Sequence, residues 1–212
     1  MLPWAETVNT HVHTWFGGNE LCNGLADVLF GAVNPSGKLP LSFPRCIEDT
    51  PTFLNLGSDR RQVTYGEGIY VGYRYYEKLQ KDVLYSFGYG LLSTTFDYSD
   101  LSATTTLVTL NVSNSGKLAG AETVQLYISP DKMATIARPV KELKGFSKVY
   151  LQPGETRRVK ISLERFSTAY WAQELHMWVC EKGQYRILIG SSSLKVLLEG
   201  VLDVEKTTWS GL

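Results

Sequence analysis

LVTLNVSNSGKLAGAETVQLYIS, residues 107–129, reads as two strands and the turn between them. Val108, Leu110 and Val112 alternate with Thr109 and Asn111, and Val124, Leu126 and Ile128 alternate with Gln125 and Tyr127. A period of two places each aliphatic set on one face of a pleated strand. Asn114-Ser115-Gly116 supplies the residues a turn needs.

Working outward toward the carboxy terminus, the same pattern recurs. Val159, Ile161 and Leu163 alternate with Lys160 and Ser162, Tyr185, Ile187 and Ile189 repeat it, and Val196 with Leu198 begins a further strand. Pro153-Gly154 and Lys182-Gly183 punctuate the series. Seven or so short strands in about 110 residues predict a β-sandwich of the immunoglobulin or fibronectin type III kind, and no Cys…Trp…Cys spacing argues for a true immunoglobulin domain.

Toward the amino terminus the grammar changes. Val8–Phe16 reads as a short buried strand, Gly17-Gly18-Asn19 as a turn with Asn19 as N-cap, and Leu21, Leu25, Val28 and Leu29 as one face of a helix that Gly31 and Pro35 stop. KLPLSF, Lys38 to Phe43, follows as a second short strand. Strand, turn, helix and strand make a partial α/β layer, too small to bury both faces of a sheet. Residues 44–95 are rich in Gly, Pro, Asp and Tyr and show neither period. Tyr65, Tyr70, Tyr73, Tyr75, Tyr76, Tyr85, Phe87 and Tyr89 fall within 25 positions of this stretch, predicting an ordered strap held by buried rings. The expected fold class is therefore mainly β: a sandwich over residues 96–212, preceded by an α/β segment over 1–50 and a tyrosine-rich connection over 51–95.

Composition narrows the function. The chain of 212 residues is 43% apolar and 20% charged, enough to bury a core. Twenty-one basic residues balance 21 acidic ones, so the field that nucleic acid or an anionic membrane attracts is missing, and no run approaches the ~20 apolar residues of a membrane span. A neutral, sugar-like or protein partner fits better. The first residues show no basic region followed by an apolar one, so no signal peptide is read. Cys22, Cys46 and Cys180 make no disulfide framework, with a single Cys22–Cys46 bridge left open.

Few residues point to chemistry. Gly31 to Leu39, GAVNPSGKL, has five residues between Gly31 and Gly37 where a phosphate loop has four, and Leu39 stands where a hydroxyl would hold magnesium. Phe87-Gly88-Tyr89-Gly90 reads as a tight turn. His11 and His13 share a face of the expected strand, a spacing metal sites use, but no third ligand lies nearby. Ser191, Ser192 and Ser193 read as turn serines without a nucleophile elbow. Asn111-Val112-Ser113 is a glycosylation sequon, meaningful only along a secretory route. Among the carboxylates Glu20, Asp27, Glu48, Asp49, Asp59 and Glu67, the best placed is Glu67, in Tyr65-Gly66-Glu67-Gly68, where aromatic neighbours would raise its pKa. The competing reading pairs it with Arg60, Arg61 or Arg74. No metal and no cofactor is called for.

Several motifs then agree on a family. WFGGNELCNGLADVLFGAVNPSGKLPLSFP (Trp15 to Pro44) resembles the end of the α/β sandwich domain of glycoside hydrolase family 3, the β-glucosidases. VTYGEGIYVGYRYYE (Val63 to Glu77) and YSFGYGLLSTTF (Tyr85 to Phe96) resemble that family's connection into its last domain. VSNSGKLAGAETVQLYIS (Val112 to Ser129), RPVKELKGFSKVYLQPGET (Arg138 to Thr156) and GQYRILIGSSS (Gly183 to Ser193) resemble its fibronectin type III-like domain. Leu92-Ser93 departs from the family's usual Ser-Tyr.

The resemblance implies a retaining hydrolase of terminal β-D-glucosyl residues, acting on β-glucosides or oligosaccharides, in a family often secreted. Its aspartate nucleophile sits on an amino-terminal barrel and its glutamate acid/base on the α/β sandwich domain. Both fall ahead of the segments matched here, and no position of this chain matches either. Retention needs two carboxyls about 5 Å apart. The expectation is a non-catalytic structural part, with the catalytic domains as packing partner, no catalytic residue in this chain, and Glu67 alone as a weak candidate for substrate contact. A different class, a stand-alone carbohydrate- or protein-binding sandwich, would need Tyr127, Tyr150, Tyr170, Trp171 and Trp178 ordered into an exposed row. Residues 1–50 are expected to expose apolar surface.

Overall fold

In the computed structural model, which describes residues 2–57, 62–130 and 136–211, the carboxy-terminal strands form two facing antiparallel sheets. One has the order β1-β2-β5, from Phe96–Ala103, Leu107–Asn114 and Thr156–Ser162. The other has the order β4-β3-β8-β9, from Glu142–Leu151, Gly120–Ser129, Gly183–Gly190 and Val196–Val204. The aliphatic sets expected from the period of two meet between them. Val108, Leu110, Val112, Val124, Leu126, Ile187 and Ile189 are each wholly buried, with Ile161, Leu163 and Tyr185 beside them. This is the packing of a sandwich whose two inner faces interdigitate.

The β2–β3 turn is fixed by Asn114, whose amide is fully used. Its Oδ1 accepts from Thr94 Oγ1 at 2.8 Å and from the Gly116 amide at 3.0 Å, while Nδ2 donates to the carbonyls of Leu118 and Leu151 at 2.8 and 3.0 Å. A buried amide so satisfied adds specificity without the penalty of an orphaned polar group. A third, small sheet of order β10-β7-β6 (β6 Tyr170–Ala172, β7 Met177–Cys180, β10 Thr208–Ser210) is not foreshadowed by the sequence, because its strands are too short to show a period.

Strand β3 departs from the simple inside-outside alternation. Gln125 and Tyr127, expected to face outward, are 4% and 0% exposed. The outer face of β3 is covered by the tyrosine-rich connection. Tyr73 packs edge-on against Tyr127 at 6.0 Å, and the Gly88 carbonyl accepts from Gln125 Nε2 at 3.1 Å. The connection itself contains a short helix that its lack of periodicity hides, α2, Tyr73–Lys78, which follows Gly72 at φ +58°.

In the amino-terminal segment the expected helix forms as α1, Leu21–Leu29, and Gly31 at φ +79° ends it. Its N-cap is Glu20 and not Asn19, and neither α1 nor its apolar face buries a residue. The two expected strands do not form. Val8–Phe16 is irregular, since a strand needs a ladder partner and none lies beside it among the described residues. Lys38–Phe43 runs antiparallel to 84–89 with only one bridge, Phe43 to Tyr85. Leu39 N–H donates to the Tyr89 carbonyl at 2.8 Å and Phe43 N–H to the Tyr85 carbonyl at 2.8 Å, but Pro40, lacking an N–H, interrupts the ladder.

Candidate functional site

The residues singled out for chemistry are dispersed. Glu67 follows Gly66 in a turn, its carbonyl accepting from Tyr70 N–H at 3.0 Å. Its Oε2 is buried with no hydrogen-bond partner among the described residues. Arg74, one of its proposed partners, pairs instead with Glu142 at 3.1 Å. Arg60 and Arg61, like the candidate Asp59, lie outside the described residues. Tyr65, expected to enclose Glu67, is 83% exposed. Of the other carboxylates, Glu20 accepts from Asn23 at 2.5 Å, Asp49 pairs with Lys81 at 2.7 Å, and Asp27 and Glu48 are exposed. The Lys81 ammonium bonded to it holds the Asp49 carboxyl below its ordinary value.

His11 and His13 serve aromatic packing. His11 Nδ1 is hydrogen-bonded to the Tyr85 hydroxyl and its ring meets Trp4 edge-on at 5.1 Å, while His13 meets Trp15 at 4.3 Å and Phe43 at 5.6 Å. No group of three metal-ligating side chains gathers among the described residues. Cys22, Cys46 and Cys180 are free. Asn111 of the sequon donates to Asp100 Oδ2 at 2.7 Å from within β2. The five aromatics of the binding-module reading form no row. Tyr127 is buried, Tyr150 lies exposed on β4, Tyr170 sits beneath Arg138, and Trp171 and Trp178 meet edge-on at 5.7 Å on the small sheet.

What the fold does assemble is a junction between the first 95 residues and the sandwich. Lys38 reaches from the GAVNPSGKL loop to Glu122 of β3, Nζ to Oε1 3.0 Å, with both side chains at least nine-tenths buried. In the same loop Asn34 donates to the Ala119 carbonyl at 3.0 Å and accepts from Ser93 N–H at 2.8 Å. Further along, Glu77 of α2 faces Lys141 at 3.4 Å, and the Lys141 ammonium also donates to the Ser193 carbonyl. Arg74 of α2 and Lys144 of β4 converge on Glu142 at 3.1 and 3.4 Å. The turn serines belong to this joint: Ser193 N–H donates to the Phe87 carbonyl at 2.9 Å and the Ser191 carbonyl accepts from Gln125 at 2.8 Å. Burial raises the Glu77 carboxyl and the Tyr73 hydroxyl, the Lys141 charge opposing the first. Neither GAVNPSGKL nor RPVKELKG carries a period that marks these charges as buried.

The first 95 residues also present apolar side chains to solvent. Phe16 is fully exposed, Leu54 and Phe30 are about nine-tenths exposed, and Trp4, Val12, Trp15, Leu29 and Val33 are each near half. Single exposed apolar residues are ordinary, but this many on one segment is the mark of a surface meant for contact. No helix of the described residues is long and apolar enough to cross a membrane.

Fold and junction together define an Fn3-like β-sandwich to which an α/β segment is bolted by buried ion pairs. Family models agree: residues 122–193 match the fibronectin type III-like domain, and residues 1–73 match the glycosyl hydrolase family 3 C-terminal domain. The whole chain is 70% identical to a probable beta-glucosidase K of Emericella nidulans, of which it covers 26%. It superposes on the beta-glucosidase of Kluyveromyces marxianus solved with glucose at a TM-score of 0.94 and 47% identity, over 99% of this chain and 26% of that one. On beta-glucosidase 3B of Thermotoga neapolitana with glucose the values are 0.92 and 37%, over 100% and 30%. The chain thus matches the carboxy-terminal part of these enzymes, residues 1–73 through the glycosyl hydrolase family 3 C-terminal domain. It spans about a quarter of the length of the curated relatives it matches.

Proposed function

We propose that this chain is the structural carboxy-terminal part of a β-glucosidase that releases terminal β-D-glucosyl residues with retention, and that it does not hydrolyse glycosides by itself. Residues 1–50 are the end of the enzyme's α/β sandwich domain, 51–95 the connection, and 96–212 the fibronectin type III-like domain. The observation that carries this reading is a contrast within residues 1–95. They are fastened to the sandwich through Lys38–Glu122 and Glu77–Lys141, while their Phe16, Phe30 and Leu54 stand in solvent. A surface of that kind suits burial against the domains that hold the two catalytic carboxyls. Glu67, whose Oε2 is buried without a partner among the described residues, lies in the connection and is the residue of this chain best placed to reach a neighbouring domain or its substrate.

The test is direct. The purified chain is assayed with 4-nitrophenyl β-D-glucoside alone and then mixed with the separately produced remainder of the Emericella relative. No turnover is expected alone, and turnover above that of the remainder by itself is expected on mixing. Turnover by the chain alone that disappears in Glu67→Gln would overturn the proposal.

A further inference from the structure

Four residues other than glycine adopt a left-handed backbone among the described residues, and three of them have a local reason. Gln80, at φ +51°, follows the last turn of α2, where chains commonly turn left-handed to end a helix. Asp100, at φ +54°, sits in the irregularity of β1 between Ser99 and Ser102. His176, at φ +49°, lies in the turn between β6 and β7. The fourth is Trp15, at φ +54°. It ends no helix and closes no hairpin, and its backbone joins no backbone hydrogen bond among the described residues. For a side chain of this bulk a left-handed backbone is a genuine outlier, and such strain persists only where the surroundings impose it.

Within the chain those surroundings are thin. The His13 and Trp15 rings meet edge-on at 4.3 Å, and His13 rests in turn on Phe43 at 5.6 Å. On the other side Gly17 passes so close to α1 that a Cβ there would stand 2.4 Å from Leu21 Cδ1. These contacts fix the two ends of the bend, yet they leave Trp15 46% and Phe16 105% exposed. We propose that the Trp15–Phe16 bend is a preformed docking element, whose strain is offset when the two rings enter an apolar pocket on the catalytic domains. The proposal rests on the reading of the chain as one part of a β-glucosidase, and names the element through which the parts meet. The chain covers only 26% of the Emericella relative, so most of that protein lies outside the matched region and is available to cover the bend. No charged residue stands between His13 and Asn19, so nothing in the bend calls for a charged surface against it. Holding the rings in place beforehand lowers the conformational freedom lost on docking, and tryptophan is enriched among the residues that dominate interfaces.

The test compares the 212-residue chain with a full-length enzyme in which it replaces the matching carboxy-terminal part of the Emericella relative. Hydroxyl-radical footprinting is expected to oxidise Trp15 and Phe16 several-fold more slowly in the full-length enzyme than in the chain alone. In the chain alone Trp15→Gly should melt above Trp15→Ala, the reverse of the ordinary order, because glycine takes this φ without penalty. In the full-length enzyme both variants should melt below the parent, since each removes the docked ring. Equal oxidation in the two settings would overturn the docking element. So would Trp15→Ala melting at or above Trp15→Gly in the chain, or full-length variants that melt with the parent. Turnover of 4-nitrophenyl β-D-glucoside by the full-length parent is scored separately: an inactive parent with shielded rings would sink the enzymatic reading and leave the docking element standing.

Discussion

Lys38 and Glu122, 84 positions apart in sequence, form an ion pair 3.0 Å long in which only 10% and 5% of the side chains remain exposed. Lys38 also donates to the Gly90 carbonyl, and Glu122 Oε1 accepts from Thr123 N–H at 2.7 Å. Breaking one partner of such a pair strands the other in a poorly solvated site. Lys38→Met is therefore expected to lower stability by about 3–5 kcal/mol. The double variant Lys38→Met with Glu122→Leu should lose less than the sum of the singles, because no charge is left buried. Urea unfolding of the four proteins checks this; additive losses would show that the two residues act separately.

The sandwich core supports a sharper comparison along two neighbouring strands. Leu126 of β3 is wholly buried and Phe146 of β4 is 67% exposed. Leu126→Ala should cost about 2–5 kcal/mol, whereas Phe146→Ala should fall within about 0.5 kcal/mol of the parent despite removing the larger ring. Thermal unfolding of both reads the difference, and comparable losses would mean that Phe146 is covered in solution.

Gly88 and Gly154 separate backbone strain from crowding, since both sit at φ +77°. A Cβ on Gly154 meets nothing within 4 Å, but one on Gly88 lies 2.0 Å from Gln125 Oε1. Gly154→Ala should cost about 1 kcal/mol, the left-handed penalty alone. Gly88→Ala should cost several times that, because Gln125 is pinned between the Gly88 and Ser191 carbonyls and the Tyr127 hydroxyl. Equal losses would mean that the strap shifts freely over β3.

These positions also mark what a sequence can and cannot tell. The sandwich was legible because Val108, Leu110 and Val112, with their counterparts on β3, β5 and β8, carry a period of two that only a strand with one buried face requires. Gln125 and Tyr127 followed the same period yet are buried, since the covering element, the strap, makes no periodic mark of its own. The ion pairs of the junction were illegible for a different reason. Lys38, Glu77 and Lys141 look like ordinary surface charges until loops far apart in sequence bring them under cover. At the amino terminus the helix was readable from its spacing and its Gly31 stop, while the strands were not, because a strand exists only in the company of another.

Glu77 gives a pH dependence with a definite sign. Burial raises its carboxyl above the ordinary glutamate value of 4.5, against the pull of Lys141. A proton is then held more tightly in the folded chain than in the unfolded one, so this group's contribution to stability is full below pH 4.5 and is lost as the pH climbs through the raised value. Lys141 and Ser193, both from the sandwich, are the groups that act on it. Subtracting the stability of Glu77→Gln from that of the parent should give a difference that falls as the pH rises above 4.5. A difference that is flat or rises with pH would place Glu77 in a better-solvated site.

The exposed apolar side chains of the first 95 residues should govern behaviour in solution. Phe16, Phe30 and Leu54 stand at 105%, 88% and 91% exposure, in a chain whose formal net charge of zero provides no repulsion between copies. Hydrophobic association scales with the apolar area removed from water, about 25 cal/mol per Å², so a few large side chains buried in a shared contact suffice for self-association at micromolar concentration. Sedimentation velocity is expected to show concentration-dependent species larger than 23.7 kDa. The triple variant Phe16→Ser, Phe30→Ser and Leu54→Ser should return the chain to a monomer without loss of stability, since none of the three contributes to the core. In the mixing assay with the remainder of the Emericella relative, the same variant should restore less turnover than the parent chain. A parent chain that stays monomeric at all concentrations, or a triple variant that complements fully, would mean that these side chains are not the ones that meet the catalytic domains.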